Sequence, residues 1–245
     1  MLPKVSIITV SYNAEPYIER TIKSVQEQTY PNIEYLIIDG ASKDGTMDIV
    51  YRYNEVVSIL VSERDKSLYD AMNKGIQRAT GDYIWFMNAG DRIAHPETLE
   101  QAITGAGDAD FIYGKTIRVT EDGEEHPWHK EHPKAATLTW KSFGEGMVVC
   151  HQSMLVRRSL APLYDDANWK HVADIDWCLK VMKRVNRAHD TGAVMSLFLE
   201  GGFSNQTKRA SLKERFRVVR AHLGLGGALL SHLRIVGKRL IGYKF

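Results

Sequence analysis

The tightest constraint on this chain is the alternation in its first half. Val5-Ser6-Ile7-Ile8-Thr9-Val10 is a β-branched apolar run, as expected of a strand buried on both faces. Ser11-Tyr12-Asn13 follows, then a helical pattern near 15–28 with Pro16 in its first turn and Ile18, Ile22 and Val25 on one face. The unit recurs. Strand 33–38 ends at Asp39-Gly40 and leads to a short helix at 46–53; strand 56–61 leads to Ser67-Leu68-Tyr69-Asp70, a capping-box pattern opening a helix to about Ala79. Strand 83–87, helix 97–104 and strand 110–114 continue it. Such alternation implies an α/β fold with a mostly parallel sheet flanked by helices. Ligands of these sheets bind outside the carboxyl ends of the strands. Those ends carry Ser11-Tyr12-Asn13, Asp39, Glu63-Arg64-Asp65 and Asn88-Ala89-Gly90-Asp91, so four polar clusters converge on one edge.

Beyond residue 116 the pattern weakens. Glu121-Asp122-Gly123-Glu124 reads as a hairpin turn, and 126–145 as an irregular loop over the site, with Trp128 and Trp140. A strand at 154–156, a helix at 172–186 and a last strand at 194–199 complete one expected compact domain, 1–205, with a nucleotide-binding half (1–115) and an acceptor half (116–205). A chain of 245 residues, 44% hydrophobic and 25% charged, can bury a core without staples, which excludes collagen, coiled coil and long disorder. Cys150 and Cys178 form no disulfide framework, no run reaches the roughly 18 apolar residues of a membrane span, and the start runs straight into the first strand. These features place the expected protein in the cytoplasm.

The polar edge excludes several nucleotide readers. Ser11-Tyr12-Asn13-Ala14-Glu15-Pro16 has no glycine, so the G-x-G-x-x-G of a dinucleotide fold is missing, as are a Walker A sequence and the Gly-rich basic loop of a sugar nucleotidylyltransferase. What remains is a site where single acids hold a ligand. Asp39 is placed to accept hydrogen bonds from a base or a ribose. Asp91 is placed to hold a hard cation, Mg²⁺ or Mn²⁺, on a diphosphate, since such ions take only one or two protein carboxylates beside phosphates and waters. His126, His129 and His132 are spaced by three, but no cysteine lies near and the segment does not read as a helix, so no zinc site is expected.

Val5–Asn13, Ser24-Val25-Gln26-Glu27-Gln28-Thr29-Tyr30 and Ile37-Ile38-Asp39-Gly40-Ala41-Ser42-Lys43-Asp44-Gly45-Thr46, with Asp65-Lys66-Ser67-Leu68-Tyr69-Asp70-Ala71-Met72-Asn73-Lys74-Gly75 and Ala79–Ile84, resemble family 2 glycosyltransferases. The second block resembles the branch of colanic-acid and related exopolysaccharide assembly. The resemblance is strong over 4–100, looser to about 205 and absent beyond. It implies a GT-A fold, a nucleoside-diphosphate sugar donor, a divalent metal and inversion at the anomeric carbon. It puts nucleotide contacts on Thr9, Val10, Ser11, Tyr12, Asp39, Asp65 and Lys66. The family's Asp-x-Asp metal motif falls on Asn88-Ala89-Gly90-Asp91, leaving Asp91 for the metal and Asn88 for a ribose or phosphate contact. The acidic pair carrying the acceptor-side base falls on Ala173-Asp174, so Asp174 takes the base position. His151, Gln152 and Asp176 are expected at the acceptor or donor-sugar pocket, Asp176 on a different helix face from Asp174.

The net charge of +2 hides a split: 206–245 hold ten Lys/Arg and one acid, Glu214, while 1–205 hold 22 Lys/Arg and 29 Asp/Glu. Leu212, Phe216, Val219 and Leu223 form one helical face; after Gly224, Gly226 and Gly227, residues Leu229, Leu233, Val236 and Leu240 form another, both flanked by basic residues. Two basic amphipathic segments suit the plane of an anionic membrane, at which relatives glycosylate lipid-linked glycans on polyprenyl diphosphate. The alternative is packing on the body or on a second copy, as a homodimer, with the charges solvated. Nucleic-acid binding through the tail is disfavoured because its aromatics are only Phe216, Tyr243 and Phe245. A non-catalytic sugar-nucleotide binder on the same fold is the remaining rival.

Overall fold

A computed structural model describes residues 2–128, 132–201 and 208–240; His129, the start of the tail at 206–207, Tyr243 and Phe245 lie outside them. The elements are β1 (Val5–Ser11), α1 (Ile18–Gln26), β2 (Ile33–Asp39), α2 (Thr46–Tyr51), β3 (Ile59–Ser62), α3 (Leu68–Arg78), β4 (Tyr83–Phe86), β5 (Arg92–Ile93), α4 (Thr98–Ala106), β6 (Phe111–Val119), β7 (Glu125–Pro127), β8 (Met154–Arg157), α5 (Ala173–Met182), β9 (Ala188–Leu199) and α6 (Lys208–Leu240).

The strands form one mixed sheet in the order β3-β2-β1-β4-β8-β6-β9-β5, with β7 on β6. β3, β2, β1 and β4 are parallel, β6 and β9 are parallel, and β8 enters antiparallel between the two groups. All seven residues of β1 are buried. Successive strand side chains point to opposite faces. Ile8 and Val10 therefore join Leu36, Ile38, Ile84 and Phe86 in a core beneath α3 and α5, while Val5 and Ile7 join Tyr35, Ile37 and Trp85 beneath α1 and α4.

α1 begins at Ile18 because residues 15–17 are spent on a turn, in which the Tyr17 and Ile18 amides both donate to the Ala14 carbonyl. The expected cap of α3 is present, the Asp70 amide donating to Ser67 Oγ at 3.1 Å. β3 starts at Ile59, since Val56 belongs to a turn closed on Tyr53. The hairpin turn at 121–124 joins β6 to β7, so the sheet extends into the expected loop, and Trp140–Glu145 forms a 3₁₀ turn capped by Thr139.

β9 is longer than the expected 194–199. Its polar first half, Ala188–Asp190, pairs with β6 before the register shifts between Tyr113 and Lys115. Gly114 stands at that shift, where a Cβ would lie 2.5 Å from Thr191 Oγ1 and 2.6 Å from the Ala193 carbonyl oxygen. A carbonyl cannot move aside as a flexible side chain can. Gly114→Ala is expected to destabilise the fold by about 1–3 kcal/mol by overpacking, read as a lower urea midpoint at unchanged slope.

Candidate active site

The carboxyl ends of β1, β2 and β3 align in one row, Ser11 beside Asp39 and Asp39 beside Ser62. Asp39 is fully buried. Its Oδ1 accepts from Ser11 Oγ at 3.2 Å and Ser42 Oγ at 2.5 Å; its Oδ2 accepts from the Ser42 amide at 3.0 Å and Ser62 Oγ at 2.7 Å. The carboxylate thus ties three strands and a loop together. The loops after β1 and β2 are laced to each other, the Asn13 amide donating to Ser42 Oγ and the Lys43 amide to Asn13 Oδ1. Asn13 (φ 48°) and Ala41 (φ 59°) both take left-handed backbone there. That conformation costs a residue such as alanine about 1–2 kcal/mol.

Of the residues assigned to the nucleotide, Thr9 and Val10 turn their side chains into the cores; Thr9 donates to the Met87 carbonyl at 2.7 Å. Tyr12 is 65% exposed and is the aromatic that reaches the edge. Asp65 lies close to Asp39, since a Cβ on Gly40 would fall 2.9 Å from Asp65 Oδ2 and 3.2 Å from the Tyr12 ring. Burial raises the Asp65 carboxyl despite Lys74 Nζ at 2.6 Å. Lys74 also reaches Glu63 at 3.1 Å and Asp70 at 3.8 Å, so one lysine of α3 gathers two acids of the loop before it and one of its own first turn. The sequence reading missed Lys74, although its i,i+4 spacing from Asp70 was a signal. Lys66 is exposed and anchored by its amide to Asp70.

The 88–91 turn is pinned to α1, where Thr21 Oγ1 accepts from the Gly90 amide at 2.9 Å and donates to the Asp91 carbonyl at 2.7 Å. The Asp91 carboxyl is 4% exposed, accepts from the Leu199 amide at 2.9 Å and takes a further hydrogen bond from the Gln152 side chain. Burial pushes its pKa up to about 7. Asn88 Oδ1 is buried with no hydrogen-bond partner. Asp91 and Asn88 thus offer carboxylate and amide oxygens, the Asn88 oxygen unsatisfied, which fits Mg²⁺ or Mn²⁺. Among the described residues no three His, Cys, Asp or Glu side chains gather for a metal, and ions that keep waters and phosphates as ligands do not need three. Behind this turn Arg20, Lys23, Arg92 and His95 line a basic recess of about 230 Å³ that the sequence reading did not single out.

Asp174 lies in the first turn of α5 and is partly exposed. Burial drives its carboxyl up to about 6 against the Ile175 amide, which donates at 2.9 Å, Tyr69 Oη at 3.4 Å and the charge of Arg215. Asp176 faces α6, accepting from His222 Nε2 and Lys180 Nζ, both at 2.7 Å; burial opposes its ionisation, and these two partners hold it low. Lys183 donates to His222 Nδ1, which leaves Nε2 as the protonated nitrogen facing Asp176. His151 is 7% exposed and pairs through Nε2 with Tyr164 Oη at 2.5 Å; burial lowers it to about 4, so it is neutral. Tyr164 stacks between Tyr69 and Trp177. Asn73 grips the Tyr164 backbone twice.

His151, Gln152 and Asp176 thus stand behind the pocket wall, which differs from the lining position expected for them. Gln152 braces Asp91, and His151 braces the aromatic stack on which Asp174 rests. His132 pairs with Asp190 and His126 with Glu124, an arrangement of separate pairs.

Residues 6–162 match the profile of Glycosyl transferase family 2. An uncharacterized glycosyltransferase of Mycobacterium tuberculosis is 38% identical over 116 residues, 46% of this chain and 44% of its own length. A PGL/p-HBAD biosynthesis glycosyltransferase of Mycobacterium bovis is 27% identical over 213 residues, 83% of this chain and 80% of its own. The match to the first of these spans less than half of that relative. Among solved structures, Staphylococcus aureus TarS (residues 1–349) in complex with UDP-GlcNAc superposes with a TM-score of 0.73 at 18% identity, over 98% of this chain and 73% of its own. The mannosyltransferase PcManGT of Pyrobaculum calidifontis, in complex with GDP-Man and Mn²⁺, does so with 0.58 at 17%, over 100% and 77%. These likenesses establish the GT-A fold. With the profile covering well over half of its length, the chain belongs to glycosyl transferase family 2.

Proposed function

We propose that this chain is an inverting glycosyltransferase that moves one sugar from a nucleoside diphosphate to a hydroxyl of a growing, lipid-linked glycan in surface polysaccharide assembly. The observation that carries this is Asp174, a partly exposed carboxyl at a helix N-terminus with a pKa near 6, the range in which a general base works at neutral pH. In this reading the exposed Tyr12 ring receives the base of the nucleotide, and the Asp39 row with the Asp65-Lys66 segment shapes the ribose side. Asp91, with the unsatisfied Asn88 oxygen, holds Mg²⁺ or Mn²⁺. The chemistry that such a cation supplies when bound is neutralisation of charge on the diphosphate leaving group. Asp174 takes the acceptor proton while the acceptor oxygen attacks the anomeric carbon opposite the diphosphate. The TarS complex with UDP-GlcNAc and the PcManGT complex with GDP-Man and Mn²⁺ support a sugar-nucleotide donor and a metal.

We read 1–205 as the catalytic domain and 206–245 as a tail that holds it at the cytoplasmic face of a membrane. Among the described residues no helix is long and apolar enough to cross one. α6 bends at Gly224 (φ 74°, ψ 178°), and beyond it Ala228, Ser231 and Ile235 are buried against the body. The stripe picked out by periodicity is the outer one: Leu229 and Leu233 are 51% and 69% exposed, with Leu225 and Leu230 beside them. An exposed leucine ridge on a helix that also carries the exposed Arg217, Arg220 and Arg234 suits an anionic bilayer, where each basic group near the surface adds about 1 kcal/mol.

Asp174→Asn is expected to lower transfer by about 10²–10⁴-fold while nucleotide binding persists. In the unaltered chain kcat should fall as pH drops through about 6, where Asp174 becomes protonated. Asp91→Asn should abolish the Mn²⁺-dependent part of the thermal shift given by UDP or GDP and leave any metal-independent part. Leu229→Ser with Leu233→Ser should reduce flotation with anionic vesicles without changing retention on DNA.

A further inference from the structure

The tail carries one acid among ten basic residues, and that acid is buried. Glu214 is 9% exposed, on the face of α6 that also buries Val218. Its Oε1 accepts from the Lys170 amide at 2.8 Å, and its Oε2 from the His171 amide at 2.5 Å and the Val172 amide at 3.1 Å. Three consecutive amides thus converge on one carboxylate, supplied from more than 40 residues further along the chain.

Those amides belong to the segment leading into α5. Val172 is the residue before the helix, and no side-chain cap comes from it. A helix start without a cap leaves amide donors unsatisfied and its positive dipole end uncovered. Glu214 supplies a charge-assisted set of bonds at that place from a different element. Asp174 follows two residues after the last amide held. Along the same side of α6, Arg215 opposes protonation of Asp174 by its charge, and His222 bonds Asp176. The first segment of the tail therefore touches the acceptor side of the pocket at Glu214, Arg215 and His222.

We propose that Glu214 is a positioning residue of the reaction: by holding the 170–172 amides it fixes the N-terminus of α5 and so the place of the Asp174 carboxyl relative to the acceptor hydroxyl. This rests on the reading of Asp174 as the base. It makes the stretch before Gly224 part of the active site and leaves the leucine ridge after it for the membrane. A displacement of about 1 Å at a reacting group is enough to lower a rate about 100-fold, so a carboxylate that fixes three backbone amides just before that group acts on catalysis through it.

The test uses the full chain with a panel of UDP- and GDP-sugars, water as acceptor, and release of nucleoside diphosphate as the signal. Glu214→Ala, Glu214→Gln and Asp174→Asn are compared with the unaltered protein. Glu214→Ala is expected to lower kcat about 100-fold, with the affinity for UDP or GDP in Mn²⁺ unchanged. The acid limb of the kcat profile should move below its position near pH 6, because a loosened helix start lets water reach Asp174. Glu214→Gln, which keeps one carbonyl oxygen, should fall between the two. An unchanged kcat and acid limb in both Glu214 variants overturns the proposal. So does a parallel loss of nucleotide affinity and folded circular-dichroism signal in Glu214→Gln, which marks a merely structural role. If Asp174→Asn keeps full release, the base reading fails and the proposal goes with it; if that variant is inactive and the Glu214 variants are not, the proposal alone fails.

Discussion

A carboxylate taken out of water must be given hydrogen bonds or surrender its charge, and the open edge of this sheet is organised by that demand. Asp39 meets it in full, with four donors from two neighbouring strand ends and a loop. Asp91 and Asp174 meet it in part, and burial pushes each toward neutrality. The saturated carboxylate makes the floor of the edge, and the two under-supplied ones are the groups left to engage something further. The loops that carry them are fixed by donors that carry no charge of their own: Thr21 on the 88–91 turn, the Leu199 amide and Gln152 on Asp91, Tyr69 on Asp174.

The two partly supplied acids share a brace. The three residues of the His151–Ser153 turn reach both sides, Gln152 to Asp91 and His151 through Tyr164 to the ring stack under Asp174. A neutral, buried imidazole suits that place because a charged one would add a second desolvation penalty beside the first. The segment that separates β7 from β8 in sequence thus keeps the 88–91 turn and the N-terminus of α5 in one frame.

Much of the fold was legible because it is local. The β-branched run at β1, the polar residues after each strand and the Ser67 cap depend on spacings of one to four residues, and the sheet follows from them. The places of Asp39, Asp91 and Asp174 were legible because each stands in a turn, at a strand end or at a helix start that local spacing marks. What periodicity could not give is the partner of a face. It picks out the stripe Leu229–Leu233, which is the exposed one, but it could not show that Ala228, Ser231 and Ile235 pack on the body, where the Gly144 carbonyl accepts from Ser231. It could not give Glu214 either, because the amides it holds are separated from it by 42 to 44 residues, and no local rule connects them.

The same physics gives a reason for the single acids at positions where the family resemblance anticipates more. A second carboxylate at 88 would stand close to Asp91, itself buried and already raised to about 7, and like charges so placed raise each other further. An amide oxygen there keeps a ligand atom without the repulsion. At 173 the side chain is fully buried, and an acid there would have to be desolvated beside Asp174. Alanine removes that burden and leaves Asp174 as the one carboxyl in the first turn of α5 that faces the pocket, since Asp176 is taken up by His222 and Lys180. In the proposed reading the departures thus leave one ionisable group on each side of the reacting bond, each raised by burial against the few donors that reach it.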